Sequence, residues 1–327
     1  MNRLMRTLFL SAVRRVQEAG SVPKYVDITA EISIIILRML TEVHEFAYAK
    51  VNLGLRVLPR RADGFHGIEG IFQTVGLADE LIVRLTDGYG GCDVSCEGFP
   101  LPQENTVVSA YRAFCSSTGE RVRSVRVEVI KHIPAGGGLG GGSSDAAALV
   151  RALRKLNGIT LCGSQLDRIA AEVGSDVFFF LHCDETGGGC AVVSGRGEIV
   201  RNIRRRPDIC FVLVFPDVHS STRDAYALVD GQLAAEDGGT YPAFGSLESV
   251  YRSSVSEWNF VNSFTPVMTA AYPEIDKALQ GVRGSGALYS EMSGSGATVF
   301  GVFVSEKEAR NAADVLANRG FRCAVAR

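Results

Sequence analysis

A run of glycines between residues 136 and 142 constrains this chain more than any other feature of its sequence. The segment "PAGGGLGGGSSDAAALVRAL", residues 134–153, places six glycines in seven positions and continues into an alanine-rich helical pattern. Glycine loses more backbone entropy on folding than any other residue, so such a run lowers stability. It is expected only where the backbone itself must wrap closely around a ligand. Val125, Val127 and Val129 alternate as in a strand just before the loop. The predicted unit is therefore strand, glycine loop and helix.

The helix after the loop is predicted to have clear ends. Ser143 or Ser144 can cap its N-terminus, Asp145 suits the positive end of the helix dipole, and Asn157-Gly158 ends it. Successive backbone N–H groups in a glycine loop, beside a helix N-terminus, form a site for phosphate. A flexible linker would not stand between a strand and a capped helix. The context therefore favours phosphate binding.

Two common phosphate-binding folds fit this loop poorly. A Walker loop ends in Gly-Lys followed by Ser or Thr, whereas this loop ends in "GSS" without a lysine. Gly136, Gly138 and Gly141 satisfy the spacing of a dinucleotide fingerprint, but that match is nearly automatic in so glycine-rich a run. No following strand ends in the acidic residue that would hold a ribose.

Composition restricts the partners of the chain. Its 327 residues, 46% hydrophobic and 21% charged, are ordinary for a globular protein of two domains. A net charge of -2 gives no bulk attraction to nucleic acid or to a membrane surface, and we expect neither as a partner. Eight cysteines without a CxxC pair favour reduced thiols and a cytoplasmic location. Cys92 and Cys96 lack the further ligands of a zinc site.

A strand predicted over residues 49–58 carries two polar groups on one face. Its apolar residues share the other face; they are Ala49, Val51, Leu53, Leu55 and Val57. Lys50 and Asn52 therefore point the same way, roughly 7 Å apart. A lone strand lysine is ordinarily solvated, but a paired Lys and Asn beside a sheet core is less common. Further strands are predicted over 70–85 and 92–98, and a short helix over 164–173 leads to "GSD".

Three separated motifs resemble the galactokinase, homoserine kinase, mevalonate kinase and phosphomevalonate kinase (GHMP) superfamily. "PAGGGLGGGSSDAA" is similar to its middle motif and "MSGSGATVF" to its third. The strand "AYAKVNLGL" with "ADGFH" and "FQ" resembles the branch that phosphorylates 4-diphosphocytidyl-2-C-methyl-D-erythritol. The resemblance covers approximately residues 46–325. It implies an α+β fold, with a ribosomal protein S5 domain 2-like N-terminal domain and a ferredoxin-like C-terminal domain.

The resemblance also implies a reaction and its catalytic residues. ATP would phosphorylate the 2-hydroxyl of a cytidine diphosphate-linked methylerythritol, in the non-mevalonate route to isoprenoid precursors. Asp176 matches the aspartate that accepts or orients the hydroxyl proton, and Lys50 matches the lysine that orients this aspartate. Asn52 would help to hold the substrate. Without the resemblance, an Asp beside a Gly-Ser turn is more often only a cap.

Binding residues follow from the same resemblance. His66 and Tyr226 match the histidine and the aromatic residue that contact the cytosine, and Phe65 stands where a tyrosine is usual. Asn105 and Lys131 match positions near the adenine. The residues implied to hold the triphosphate are Pro134, Ala135, Gly136, Gly137, Gly138, Leu139, Gly140, Gly141, Gly142, Ser143 and Ser144. A second turn, Gly294, Ser295 and Gly296, would lie near the transferred phosphate. Mg²⁺ is expected with ATP, with Ser143 or Ser144 as the nearest candidate ligand.

The chain departs from the family pattern at several places. Family members usually start about eight residues before the lysine; Met39 stands at that place, so residues 1–42 are expected to be a poorly packed extension. An ATP-binding domain is predicted over 43–203 and a substrate domain over 204–327, divided at the solvated "RRRP" segment. Phe178 replaces a proline, and Asn262-Ser263 replaces an Asn-Asp pair. The protein could be a monomer or a homodimer.

Two alternative functions stay open on the sequence. A homoserine or mevalonate type of GHMP kinase would share the glycine loop but should lack "ADGFH" followed by "FQ". A non-catalytic nucleotide-binding module on the same fold would be expected to lose Asp176 or Lys50, and both are present.

Overall fold

The computed structural model describes residues 41–218, 221–233 and 244–327 of the chain, which contain two β-sheets and the helices packed on them. The strands are β1 (Glu42–Arg60), β2 (His66–Tyr89), β3 (Cys92–Ser95), β4 (Arg123–Ile130), β5 (Cys190–Gly195), β6 (Ile199–Asn202), β7 (Cys210–Phe215), β8 (Tyr289–Met292), β9 (Val299–Phe303) and β10 (Arg322–Ala326). The α-helices are α1 (Thr106–Thr118), α2 (Gly141–Asn157), α3 (Gly163–Val173), α4 (Ser175–Leu181), α5 (Thr222–Leu233), α6 (Leu247–Arg252), α7 (Thr265–Ala271), α8 (Pro273–Arg283) and α9 (Glu306–Asn318).

The first sheet is organised around the long strand β2. This strand pairs antiparallel with β1 along most of its length, and its other edge is shared by β5 and β4. β3 adds to β4 in parallel, and β6 adds to β5 in the antiparallel sense. The "ADGFH" segment connects β1 to β2. It is therefore held at the end of a long hairpin, away from the middle of the sheet.

Helices α1 to α4 bury their apolar residues against the first sheet. Phe114 of α1 and Leu149 and Leu153 of α2 lie in one buried cluster with Val127 of β4. Gly158, in the left-handed conformation, ends α2, as "NG" predicts. Packing on the sheet thus holds α2, and with it the glycine loop that precedes this helix.

The second sheet shares its core with the first. Its strand order is β10-β7-β9-β8, all antiparallel. Phe211 of β7 and Phe300 of β9 are buried in the same cluster as Leu53 of β1. The backbone of Leu55 also donates to the carbonyl of Val261 at 2.9 Å and accepts from Ser263 N–H at 2.9 Å. This common core fixes the two sheets relative to each other.

The main expectations about the fold are confirmed. The α+β class holds, and the predicted strands at 49–58, 70–85 and 92–98 correspond to β1, β2 and β3. The predicted helix over 164–173 is α3. The alternation in β1 differs in one respect, because Lys50 and Asn52 are buried as well. Both faces of β1 are therefore covered, one by the core and the other by the glycine loop and the third motif.

Several expectations concern segments that the structure does not test. Residues 1–40 of the predicted extension, including Met39, lie outside the described residues. β6 ends at Asn202 and β7 begins at Cys210, and the division into domains near residue 204 stays a proposal. In the described ranges, no helix is long and apolar enough to cross a membrane.

Candidate active site

A cleft at the junction of the two sheets brings the sequence motifs together. Its cavity volume is about 490 Å³. Lining residues come from β1, β2, the glycine loop, α1, α2, α4, the β5–β6 turn, α5, the segment before α7 and the third motif. They are Lys50, Asn52, Leu55, Ile68, Phe72, Thr106, Gly136, Gly138, Gly140, Gly141, Gly142, Ser143, Ser175, Asp176, Arg196, Thr222, Tyr226, Phe264, Gly294 and Ser295.

Lys50 and Asp176 meet in this cleft although 126 positions separate them in the chain. The Lys50 side chain is 4% exposed, and its Nζ lies 3.4 Å from Asp176 Oδ2. The same Nζ donates to Asn52 Oδ1 at 2.7 Å and to the Gly138 carbonyl at 3.1 Å. These acceptors compensate the cost of burying the ammonium charge. The Asp176 side chain is 34% exposed, so it can reach a bound molecule.

The glycine loop is fixed through its carbonyl groups. Besides the Lys50 bond to Gly138, Thr298 N–H donates to the Gly137 carbonyl at 3.2 Å and Thr106 Oγ1 donates to the Gly142 carbonyl at 2.7 Å. In the part of the chain that the structure describes, no backbone N–H from residues 136–142 donates to a protein acceptor. A loop held by its carbonyl oxygens with its N–H groups unused fits an anionic ligand such as a triphosphate.

Gly138 allows the loop to touch the third motif. Its φ is +73°, and a Cβ at this position would lie 2.0 Å from the carbonyl oxygen of Ser293. Ser293 Oγ donates to the Gly138 carbonyl at 3.0 Å and accepts from Asn52 N–H at 3.2 Å. One buried serine therefore joins β1, the glycine loop and the "SGSG" turn. The sequence placed this residue just before the predicted turn but did not single it out.

Asn262 and Ser263, where the family pattern has Asn-Asp, serve the protein's own backbone. Asn262 Nδ2 donates to the carbonyls of Met292 at 2.8 Å and Gly294 at 2.7 Å. Ser263 Oγ accepts from Val57 N–H at 3.0 Å. The pair thus supports the third motif and the edge of β1.

A second, smaller cavity of about 190 Å³ lies on the other side of the glycine loop. Asn105 and Lys131 line it together with Phe99, Leu101, Pro134 and Ala135, among others. Asn105 Oδ1 also caps α1, accepting from the N–H groups of Val107 and Val108. Both residues implied to be near adenine therefore lie at one cavity beside the loop.

Lys131 is held between two buried carboxylates, a cluster that the sequence analysis did not predict. Its Nζ contacts Asp79 Oδ2 and donates to Asp145 Oδ2 at 2.9 Å. Burial alone would lower the pKa of Lys131, but Asp145 and Asp79 outweigh it and the pKa is raised. Burial raises the pKa of Asp145 to about 7, against the attraction of Lys131 and with repulsion from Asp79. Sequence offers no signal for this cluster, because its members come from β2, the segment after β4, and α2.

The predicted cap of α2 is wrong. The helix begins at Gly141, Gly140 is its N-cap in the left-handed conformation, and no side chain makes a cap bond. Ser143, Ser144 and Asp145 therefore lie inside the helix, and Asp145 binds Lys131 rather than the free helix end. The reason is that three glycines let the backbone turn into the helix earlier than a side-chain cap would require.

Of the residues implied to contact the base, Tyr226 lines the cleft, whereas His66 is buried and is not among the lining residues. The His66 and Tyr226 rings stack with centroids 5.2 Å apart. His66 Nδ1 lies 2.8 Å from the Leu58 carbonyl, and its Nε2 lies 3.0 Å from Asp230 Oδ1 without hydrogen-bond geometry. Burial, with the charge of Asp176, raises the pKa of Tyr226 to about 12. Phe65 is 53% exposed and is not among the lining residues.

Protein ligands for a metal are sparse around the cleft. No cluster of three or more His, Cys, Asp and Glu side chains that could hold a metal occurs within the described ranges. Asp176 and the Ser143 hydroxyl are the polar groups of the lining nearest in type to Mg²⁺ ligands. Asn52 Nδ2 is buried and has no protein partner in the described residues. It is thus a donor that a bound substrate can use.

Comparisons with known proteins identify the family and the fold of the chain. The models of the GHMP kinases N terminal domain and the GHMP kinases C terminal domain match residues 105–184 and 240–322. The 4-diphosphocytidyl-2-C-methyl-D-erythritol kinase of Treponema pallidum is 41% identical over 85% of this chain and 95% of that protein. A crystal structure of 4-(cytidine 5'-diphospho)-2C-methyl-D-erythritol kinase has a TM-score of 0.71 and 32% identity, over 87% of this chain and 99% of that chain. Homoserine kinase from Cytophaga hutchinsonii, at 19% identity and a TM-score of 0.64 over 87% and 93%, shares the fold.

Gly138→Ala should disrupt the site through the loop. The left-handed backbone alone costs an alanine about 1–2 kcal/mol, and the methyl group would collide with the Ser293 carbonyl. We expect a lower free energy of unfolding in urea and a loss of ATP binding by calorimetry. Gly163→Ala is the matched control, because a Cβ there meets nothing within 4 Å. Wild-type ATP affinity in Gly138→Ala would contradict the close approach of the loop.

The Asp145 carboxyl should make stability depend on pH. Since its pKa is raised from 3.8 to about 7 in the folded protein, the folded state binds this proton more tightly than the unfolded state. The free energy of unfolding of the wild type should therefore fall, relative to Asp145→Asn, as the pH rises from about 4 to about 7. Urea unfolding of both proteins across this range measures the difference. A difference independent of pH would show that Asp145 does not titrate there.

Proposed function

Because this chain belongs to the 4-diphosphocytidyl-2-C-methyl-D-erythritol kinase family of the GHMP kinases, we propose that it transfers the γ-phosphoryl group of ATP to the 2-hydroxyl of 4-diphosphocytidyl-2-C-methyl-D-erythritol. This is a step of the non-mevalonate route to isoprenoid precursors. The observation that carries the proposal is the contact of Lys50 with both Asp176 and the glycine loop, at 3.4 Å and 3.1 Å. Lys50 thereby connects the proposed proton acceptor to the proposed phosphate-binding loop.

Asp176 is the proposed proton acceptor. Its partly exposed carboxylate would hydrogen-bond the 2-hydroxyl and take its proton as the hydroxyl oxygen bonds to the γ-phosphorus and the bond to the β-phosphate oxygen breaks. Lys50 would hold this carboxylate in position and stabilise the charge that develops on the transferred group. Asn52, bonded to Lys50, would offer its unused Nδ2 to the substrate.

The glycine loop would bind the triphosphate through its unused N–H groups, with Asn105 and Lys131 at the adenine end. The turn of Gly294, Ser295 and Gly296 would lie near the transferred phosphate, and Gly294 and Ser295 of this turn line the cleft. Mg²⁺ would supply neutralising charge for the triphosphate. Ser143 or Ser144 is the proposed protein ligand.

Cytosine recognition is proposed at the end of the cleft lined by Tyr226, on whose ring His66 stacks; this is called the His66 end. Tyr226, whose pKa of about 12 keeps its hydroxyl protonated at neutral pH, would pack on the base beside His66. His66 would hydrogen-bond the base, and Phe65 would extend the apolar surface from the neighbouring position. The position of Phe65 and His66 on the β1–β2 hairpin supports the assignment, because that hairpin carries Lys50 as well.

The two alternatives have weaker support. A homoserine or mevalonate type of substrate would leave the His66 and Tyr226 pair without a role, and the likeness to homoserine kinase is one of fold. A non-catalytic module would not require a buried lysine aimed at a partly exposed aspartate. We therefore favour a catalytic protein that acts on the cytidyl substrate.

A substrate panel tests the proposed reaction. ADP release with Mg-ATP should occur with 4-diphosphocytidyl-2-C-methyl-D-erythritol and not with homoserine, mevalonate or galactose, offered separately. The reason is that only the cytidyl compound has a base for the His66 end of the cleft. Turnover with another alcohol would contradict the proposed substrate, and no turnover with any of the four compounds would favour the non-catalytic module.

Asp176→Asn tests the proton acceptor. Turnover should fall by about two to four orders of magnitude, because an amide cannot take the proton. ATP affinity should change little, since Lys50 keeps its hydrogen bonds to Asn52 and to the Gly138 carbonyl of the glycine loop. Steady-state kinetics and calorimetry measure the two effects, and Asp314→Asn, at an exposed position on α9, is the control. Unchanged turnover in Asp176→Asn would remove this residue from the mechanism.

A further inference from the structure

The two cations that line the cleft have very different surroundings. Lys50 is buried against Asp176, whereas Arg196 is exposed at the tip of the turn between β5 and β6. Among the described residues, the guanidinium of Arg196 forms no ion pair, and it lies 3.8 Å from the centroid of the Phe65 ring. Its charge is therefore available to a bound anion.

Two arginines next to the β1–β2 turn, which carries Phe65, are already paired. Arg60 donates to Asp230 at 2.6 Å, and Arg61 lies 3.2 Å from Asp63. Among the described lining residues, the cation Lys50 is paired with Asp176, whereas the cation Arg196 has no carboxylate partner in the described part of the chain.

The turn that carries Arg196 is anchored at both ends. Gly195 pairs with Ile68 of β2, and Gly197 N–H donates to the Ser194 carbonyl at 3.1 Å. A Cβ on Gly197 would lie 3.0 Å from the carbonyl oxygen of Ser175, the residue before Asp176. The turn therefore packs directly against the start of α4. Arg196 is held between this point and Phe65, which precedes His66.

We propose that Arg196 binds the diphosphate of the acceptor substrate, an inference that rests on the proposed function. In that substrate the diphosphate joins the cytidine to the methylerythritol that carries the 2-hydroxyl. Along the cleft, Arg196 has the same intermediate place, between the base end at His66 and the proton acceptor at Asp176. A planar guanidinium can bind two phosphate oxygens while it stacks on an aromatic ring. Phe65 thus orients the arginine as well as extending the base site.

Binding of CDP and of cytidine tests this role without turnover. Calorimetry should show that the wild type binds CDP more tightly than cytidine. In Arg196→Gln the ratio of the two affinities should fall about tenfold while cytidine affinity stays near wild type. Arg196→Lys should lie between them, because it keeps the charge but loses the planar fork. Arg204→Gln, at an exposed arginine that does not line the cleft, should behave as wild type.

Kinetics give the second readout. Arg196→Gln should raise the KM for the cytidyl substrate about tenfold and leave the KM for ATP unchanged. Equal weakening of CDP and cytidine would mean that Arg196 only supports Phe65, and a raised KM for ATP alone would place its contact on the triphosphate. A wild type that binds CDP no better than cytidine would also reject the proposal.

Circular dichroism checks folding, and Arg196→Lys gives the same comparison if the glutamine variant is unfolded. Absence of wild-type turnover would contradict the proposed reaction. The ratio of the affinities for CDP and cytidine tests the role of Arg196 separately, because it needs no turnover.

Discussion

The buried ammonium group of Lys50 is the interaction on which the site depends. It contacts a side chain of its own strand, a carbonyl of the glycine loop and the carboxylate of α4. A charge buried to this extent is tolerated only when its partners are in place, so the three elements stabilise one another's positions. The same contacts that allow the lysine to be buried put the aspartate beside the glycine loop.

The frame around this lysine is rigid because the two sheets share a core. Leu53 of β1 packs with Phe211 and Phe300 of the second sheet, and Leu55 exchanges backbone hydrogen bonds with residues 261 and 263. Ser293 extends this connection into the cleft by bonding to both Asn52 and Gly138. Residues from both halves of the chain are therefore held close enough to act on one substrate.

Local patterns predicted much of this arrangement. The alternation around Lys50 predicted the strand and put Lys50 and Asn52 on one face, and the glycine run after the valine strand predicted a loop that fits an anion. The cap of α2 was predicted wrongly, because glycine can enter a helix without a side-chain cap. The roles of Asp176, His66 and Tyr226 came from resemblance, since a lone Asp, His or Tyr has no periodic signal. Asp79 and Arg196 were missed because their partners, Lys131 and Phe65, lie far away in the chain, and Asp145 was assigned to the helix dipole although it binds Lys131.

The sequence by itself determined the elements and the chemistry available to them: a strand with a Lys-x-Asn face, a glycine loop before a helix, and an aspartate after a Gly-Ser turn. These follow from backbone preferences and side-chain periods, which act over a few residues. Tertiary structure decided which groups meet, including the 3.4 Å approach of Lys50 to Asp176, the Lys131 cluster and the place of Arg196 beside Phe65. Such contacts join residues that are 14 to 131 positions apart. Their distances depend on how the sheets and helices pack, which no local pattern encodes.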